Sequence, residues 1–200
     1  MDNDFMSVDI NQEKLESIIT SIQNGGVVIF PTETVFALSA RISSAEGIAK
    51  IKKIKKRDIN KPLSIICKNI KQMSELVRTT EKLDFIKNHS PGAVTFVLPA
   101  LNKEISKLIG SKNSIGIRIP DHKFVNVLLD RINEPLVATS VNFSGEDAAT
   151  EFSEVSPEII RQVDAYYDIG KSSIGIASTV VDLSESTPRI LRQGSVKIRI

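Results

Sequence analysis

The chain has little with which to build familiar catalytic or metal chemistry. Its 200 residues hold one cysteine, two histidines and no tryptophan. Cys67 alone forms neither an internal disulfide nor a cysteine-based zinc site, and nothing argues for secretion. His89 and His122 are too few for a three-histidine metal site, so no metal site is expected. No apolar stretch approaches the ~20 residues of a membrane helix. The start Met1-Asp2-Asn3-Asp4 lacks the basic flank of a signal peptide, and the expected location is the cytoplasm, with no membrane partner. The chain also lacks a Gly-x-x-x-x-Gly-Lys-Ser/Thr phosphate loop and a Gly-x-Gly-x-x-Gly dinucleotide loop. Ser140 has no nucleophile-elbow sequence, which leaves Asp121 and His122 without a hydrolase triad.

What remains is an ordinary globular composition, 41% hydrophobic and 25% charged. The net charge of +2 hides an asymmetry. Lys50, Lys52, Lys53, Lys55, Lys56, Arg57 and Lys61 stand against Asp58 alone, a local +6 that leaves the rest of the chain at −4.

Hydropathy alternates between helical and extended periods. Residues 12–24 read as an amphipathic helix capped by Asn11, ended by Gly25-Gly26. A buried strand over 27–30 stops at Pro31. Ser43 and Glu46 have capping-box spacing for a second helix with Ile48, Ile51 and Ile54 inward and its lysines outward. Further strands are expected at 63–67, 94–98, 115–119, 136–140, 165–169, 178–183 and 189–192, with helices near 70–77, 80–89 and 121–131. Residues 145–156 are polar and read as a surface excursion, equally a lid, a turn or a linker. The alternation predicts an α/β fold in one domain, around a twisted mixed sheet with flanking helices, since several connections are too short for helical crossovers.

Polar residues gather just beyond the apolar runs, where α/β proteins bind ligands. Thr32, Glu33 and Thr34 follow one strand, Ser140 to Gly145 follow another, and Ser178 and Thr179 precede a third. This inventory of hydroxyls and amides suits a polar small ligand. Arg118 and Arg192 end strands with apolar neighbours, so each needs an anion or an internal partner such as Asp121 or Asp182. Lys55, Arg57 and Lys61, at a helix end and in the loop beyond it, have the chemistry of a phosphate clamp. Lys52, Lys53 and Lys56 read as solvated helix-face residues. Cys67 reads as an inert core thiol.

Seven segments occur in one order: Pro31-Thr-Glu-Thr-Val-Phe-Ala-Leu38, Lys55-Lys-Arg-Asp-Ile-Asn-Lys-Pro-Leu63, Ser90-Pro-Gly-Ala-Val-Thr-Phe96, Gly116-Ile-Arg-Ile-Pro-Asp-His122, Ala138-Thr-Ser-Val-Asn-Phe-Ser-Gly145, Ser178-Thr-Val-Val-Asp182 and Leu191-Arg-Gln-Gly194. This pattern resembles the YrdC-like family of threonylcarbamoyl-AMP synthases, in its short single-domain form, over about residues 12 to 194. The sequence departs from the family at Ala37, Ser39, Asp58, Ala93 and Val141. The resemblance implies a YrdC-like fold with a basic cleft. It also implies a nucleotidyltransferase that joins L-threonine, bicarbonate and ATP, carried as its Mg²⁺ complex, into threonylcarbamoyl-AMP and pyrophosphate for tRNA modification. No tightly bound cofactor is implied. Lys55 and Arg57 would be catalytic. ATP would lie on Lys55, Arg57, Lys61, Ser140, Asn142 and Arg192, and threonine on Thr32, Thr34, Arg118, Ser178 and Thr179. A downstream threonylcarbamoyl-transferase and weak tRNA contact by the outward lysines are the implied partners. Two alternatives stay open: a same-fold enzyme with another acyl-adenylate, and a non-enzymatic RNA-binding module, although aromatics at 5% offer few stacking platforms.

Overall fold

A computed structural model describes residues 10–56, 61–79 and 82–199. Among the described residues nine strands form one sheet: β1 Val28–Phe30, β2 Ala37–Arg41, β3 Ser64–Ile66, β4 Val94–Pro99, β5 Ser114–Arg118, β6 Leu136–Ser140, β7 Ala165–Tyr166, β8 Thr179–Asp182 and β9 Arg189–Arg192. They lie in the order β7-β1-β2-β6-β3-β5-β4-β8-β9. Pairing is parallel at β1/β7, β3/β5 and β4/β8 and antiparallel elsewhere, so the sheet is mixed, as expected.

Both faces of the sheet are buried, which is why its central strands are continuously apolar. Alternate residues of one strand serve opposite cores. Val28 and Phe30 join Leu15, Ile18, Ile19 and Ile22 of helix α1 (Gln12–Gln23) and Phe124, Val125, Leu128 and Leu129 of α6 (Lys123–Ile132). Ile29 joins the other core, with Ile48, Ile51 and Ile54 of α2 (Ala45–Ile54). The shorter helices are α3 Ile70–Ser74, α4 Leu83–Asn88, α5 Lys103–Leu108 and α7 Pro157–Ile160. No helix of the described residues is long and apolar enough to cross a membrane.

Several expectations need correction. Asn11 caps α1 as read, its side chain accepting from the Lys14 amide at 3.0 Å. The cap of α2, however, is Ser44 rather than Ser43. Ser44 Oγ accepts from Gly47 N at 3.0 Å and donates to Gly25 O at 3.0 Å, tying the helix start to the turn after α1. Strand β2 and helix α5 were not anticipated. The β2 run Ala-Leu-Ser-Ala-Arg has no β-branched residue, and pairing with β1 on one side and β6 on the other makes it a strand. Residues 145–156 are not simply a surface excursion, since Ala149 and Val155 are buried and Phe36 N donates to Ala149 O at 2.8 Å.

Candidate functional site

The turn leaving β1 and the last residue of β5 meet in the interior. Thr32, Glu33 and Thr34 are buried, and Arg118 is 8% exposed. Thr32 Oγ1 donates to Val35 O at 2.8 Å and lies 2.9 Å from Thr34 Oγ1, which fixes the turn. Arg118 Nη1 donates to Thr34 Oγ1 at 2.7 Å and to Glu33 Oε1 at 3.1 Å, and Nη2 donates to Thr32 Oγ1 at 3.3 Å. Burial pulls the Arg118 guanidinium below its ordinary value, opposed by Glu33 and assisted by Arg192. The partner of Arg118 is therefore Glu33, not Asp121 or Asp182. Asp182 is taken by Arg189 at 3.1 Å and by Ser184. The sequence signal for Glu33 was present, as it is the only acid in the three strand-end clusters named above.

The opposite wall comes from the C-terminal strands. Ser178 Oγ lies 2.8 Å from Thr95 Oγ1 on β4. Arg192, at the end of β9, donates through Nε and Nη2 to Ser178 O at 3.1 and 2.9 Å, and through Nη2 to Ser178 Oγ at 3.2 Å. Burial also lowers the Arg192 guanidinium. Gly194 lets the chain turn here, because a Cβ would stand 2.2 Å from Ala177 O and 2.5 Å from Thr179 N. Thr179 faces the C-terminal segment, donating to Val196 O at 2.6 Å and accepting from Gly194 N at 3.0 Å.

The two walls enclose a cleft of about 160 Å³ lined by Thr34, Ala37, Arg118, Ser140, Ser178 and Arg192, among others. Five of the sequence-derived candidates thus converge, and Thr32 braces the arginine behind them. Pro62 also lines the cleft, with exposed Lys61 next to it in the chain. Arg57 lies outside the described residues. Lys55 and Asn142 do not line the cleft. The Lys55 ammonium, 1% exposed, donates to Ser140 O, Asn142 O and Asn142 Oδ1. Asn142 Nδ2 donates to Phe143 O and Glu146 O at 2.9 and 2.8 Å. Two of the lysines expected to be merely solvated have protein partners: Lys52 donates to Leu108 O at 2.8 Å, and Lys56 lies 3.2 Å from Glu158 and 4.4 Å above the Phe143 ring. Among the described residues no group of three His, Cys, Asp or Glu side chains is placed to hold a metal ion.

The family model Sua5/YciO/YrdC, described as "Telomere recombination", matches residues 20–194. Threonylcarbamoyl-AMP synthase of Pyrococcus abyssi is 29% identical over 191 residues, 94% of this chain and 56% of that protein. The Bacillus subtilis protein of the same name is 29% identical over 189 residues, 93% of this chain and 55% of its own length. The chain thus spans about half the length of these two relatives. The crystal structure of P. abyssi Sua5 complexed with L-threonine superposes with a TM-score of 0.85 at 30% identity, covering 92% of this chain and 54% of that one. Escherichia coli YciO superposes with a TM-score of 0.80 at 25% identity, covering 92% and 90%. The matched span holds all nine strands and the six named cleft residues, and the chain belongs to the Sua5/YciO/YrdC family.

Proposed function

We propose that this chain makes threonylcarbamoyl-AMP and pyrophosphate from L-threonine, bicarbonate and ATP. The observation that carries the reading is the Arg118 site. Three of the guanidinium's N–H groups serve Thr34, Glu33 and Thr32. An arginine has five, so two donors remain for a planar anion such as a carboxylate. Glu33 offsets the buried charge of Arg118, and Arg192, exposed at the rim, adds a second positive charge on the same cleft. An anionic ligand completes that balance. With Thr34 and Ser178 for its amine and hydroxyl, threonine satisfies the polar lining, and the P. abyssi relative bound to L-threonine supports the choice. The cleft is smaller than the ~300–1,000 Å³ of drug-sized sites, so it suits an amino acid while a nucleotide extends from its mouth. There Ser140 and Arg192, with Lys61 and Arg57, supply the contacts for the phosphates. Magnesium enters on those phosphates and water.

The chemistry requires no enzyme nucleophile. The threonine amine attacks the bicarbonate carbon, a C–N bond forms, and the bicarbonate hydroxyl leaves as water, taking a proton from the amine, to give a carbamate. A carbamate oxygen then attacks the α-phosphorus of ATP, and the bond to the β-phosphate oxygen breaks to release pyrophosphate. The protein contributes proximity and preorganised cations facing developing negative charge. The product is a reactive mixed anhydride, so a transferase acting on tRNA must consume it. Pyrophosphate release by the purified chain is expected to require both threonine and bicarbonate. Release indifferent to threonine overturns the reading in favour of another acyl-adenylate, and salt-sensitive tRNA binding without any turnover favours an RNA-binding module.

A further inference from the structure

Within this functional reading, one residue of the basic segment has a different task from its neighbours. Lys55 is the C-cap of α2, and its side chain passes into the interior at 1% exposure. Its ammonium meets Ser140 O at 2.5 Å, Asn142 O at 2.8 Å and Asn142 Oδ1 at 2.8 Å. An ammonium has three N–H donors, and these acceptors use all three. Two of the acceptors are the main-chain carbonyls of Ser140 and Asn142, two residues apart at the end of β6. Ser144 N closes the circuit by donating to Lys55 O at 3.1 Å.

The loop so held is joined to the threonine end of the cleft. Ser140 pairs with Ala37 across β2 and β6, and Val141 N donates to Phe36 O at 3.0 Å. Ala149 N donates to Val141 O at 3.3 Å, and Phe36 N donates to Ala149 O at 2.8 Å. Phe36 is two residues from Thr34, which holds Arg118. We infer that Lys55 is a positioning residue: its ammonium fixes the Ser140–Asn142 loop and, through Phe36 and Ala37, the threonine side of the cleft, and it does not bind the ATP phosphates. Phosphate contact would require the ammonium to give up at least one of these three acceptors, so Lys55 retains them when ATP is bound.

Titration calorimetry on Lys55→Met separates the two roles, because threonine alone carries no phosphate. The variant is expected to weaken L-threonine without nucleotide and ATP without threonine alike, each by about 10-fold or more and within about threefold of one another. Loss of ATP affinity with threonine binding unchanged overturns the inference and leaves the functional reading intact; binding unchanged for both also overturns it. A wild-type chain that binds neither ligand removes the functional reading and the positioning role together. Should the variant not fold, ¹⁵N-lysine NMR of the wild-type chain decides. A slowly exchanging Lys55 Nζ–H signal that stays in place when ATP saturates the protein is the expected result, and a signal displaced by ATP overturns the inference.

Discussion

Replacing Arg118 by methionine should damage the fold and the threonine site by two separable amounts. The arginine and Glu33 form an ion pair whose side chains are 9% and 6% exposed. Removing one member of such a pair strands the other charge in the interior, at a cost of about 3–5 kcal/mol. Glu33 Oε2 already lacks a described partner, so Arg118→Met leaves the carboxylate with no charge-assisted hydrogen bond from a cationic side chain among those described. A domain of this size loses about 2–4 °C of Tm per kcal/mol, so the expected drop is about 6–20 °C. Adding Glu33→Gln removes the stranded charge, and Thr32 and Thr34 still bond to each other at 2.9 Å. The double variant should therefore be the more stable of the two, recovering all but about 1–2 kcal/mol, although it lacks the pair altogether. Threonine binding should stay lost in both, because neither has the guanidinium. Urea unfolding and calorimetric titration of the wild type, the single variant and the double variant make the test. The reasoning is refuted if Arg118→Met costs under about 1 kcal/mol, or if the double variant is no more stable than the single one.

Three other outcomes follow from the same geometry. Burial and Arg118 lower the His122 imidazole from its usual 6.5 against the pull of Glu33 and Asp121, so the folded chain resists its protonation. That contribution is complete above about pH 6.5 and is lost as pH falls, so Tm should decline more steeply from pH 7 to pH 5 in the wild type than in His122→Gln; parallel curves would count against it. Ser44→Ala should cost about 1 kcal/mol in urea unfolding and Ser43→Ala under about 0.5, and the reverse order would return the cap to Ser43. The Cys67 thiol is pushed up to about 12 by burial and then by Glu75, so a disulfide reagent at neutral pH should label it only on unfolding, and stoichiometric labelling of the native chain within seconds would contradict its burial.

The apolar runs made most of the sheet legible because burial on both faces leaves little room for polar residues. The limits of β6 and β9 agree with the pattern at both ends. Strand β2 escaped because none of its residues is β-branched, and its identity comes from two neighbouring strands rather than from itself. The insertion of β6 between β2 and β3 is equally invisible in local pattern, since it joins segments about a hundred residues apart in part of its length, as Ser39 with Ala138. The same distance hid the partner of Arg118. Glu33 lies 85 residues away in sequence, and only the meeting of the β5 end with the β1 turn distinguishes it from Asp121 and Asp182 as the partner.

Charge was the least faithful guide to the site. The basic segment drew attention as a block, yet Lys55 turns inward to carbonyls, while Lys50 pairs with Asp164 and Lys56 with Glu158 at the surface. A cation's donors are finite, and what it offers a ligand is what its own protein has not already used. By that measure Arg118, with two N–H groups beyond its described partners, is better equipped to hold a substrate anion than Lys55, whose three are spent on one loop. The planar fork also explains why arginine and not lysine stands at the end of β5, since only a guanidinium can brace itself on a carboxylate and two hydroxyls and still present a donor face to the cleft.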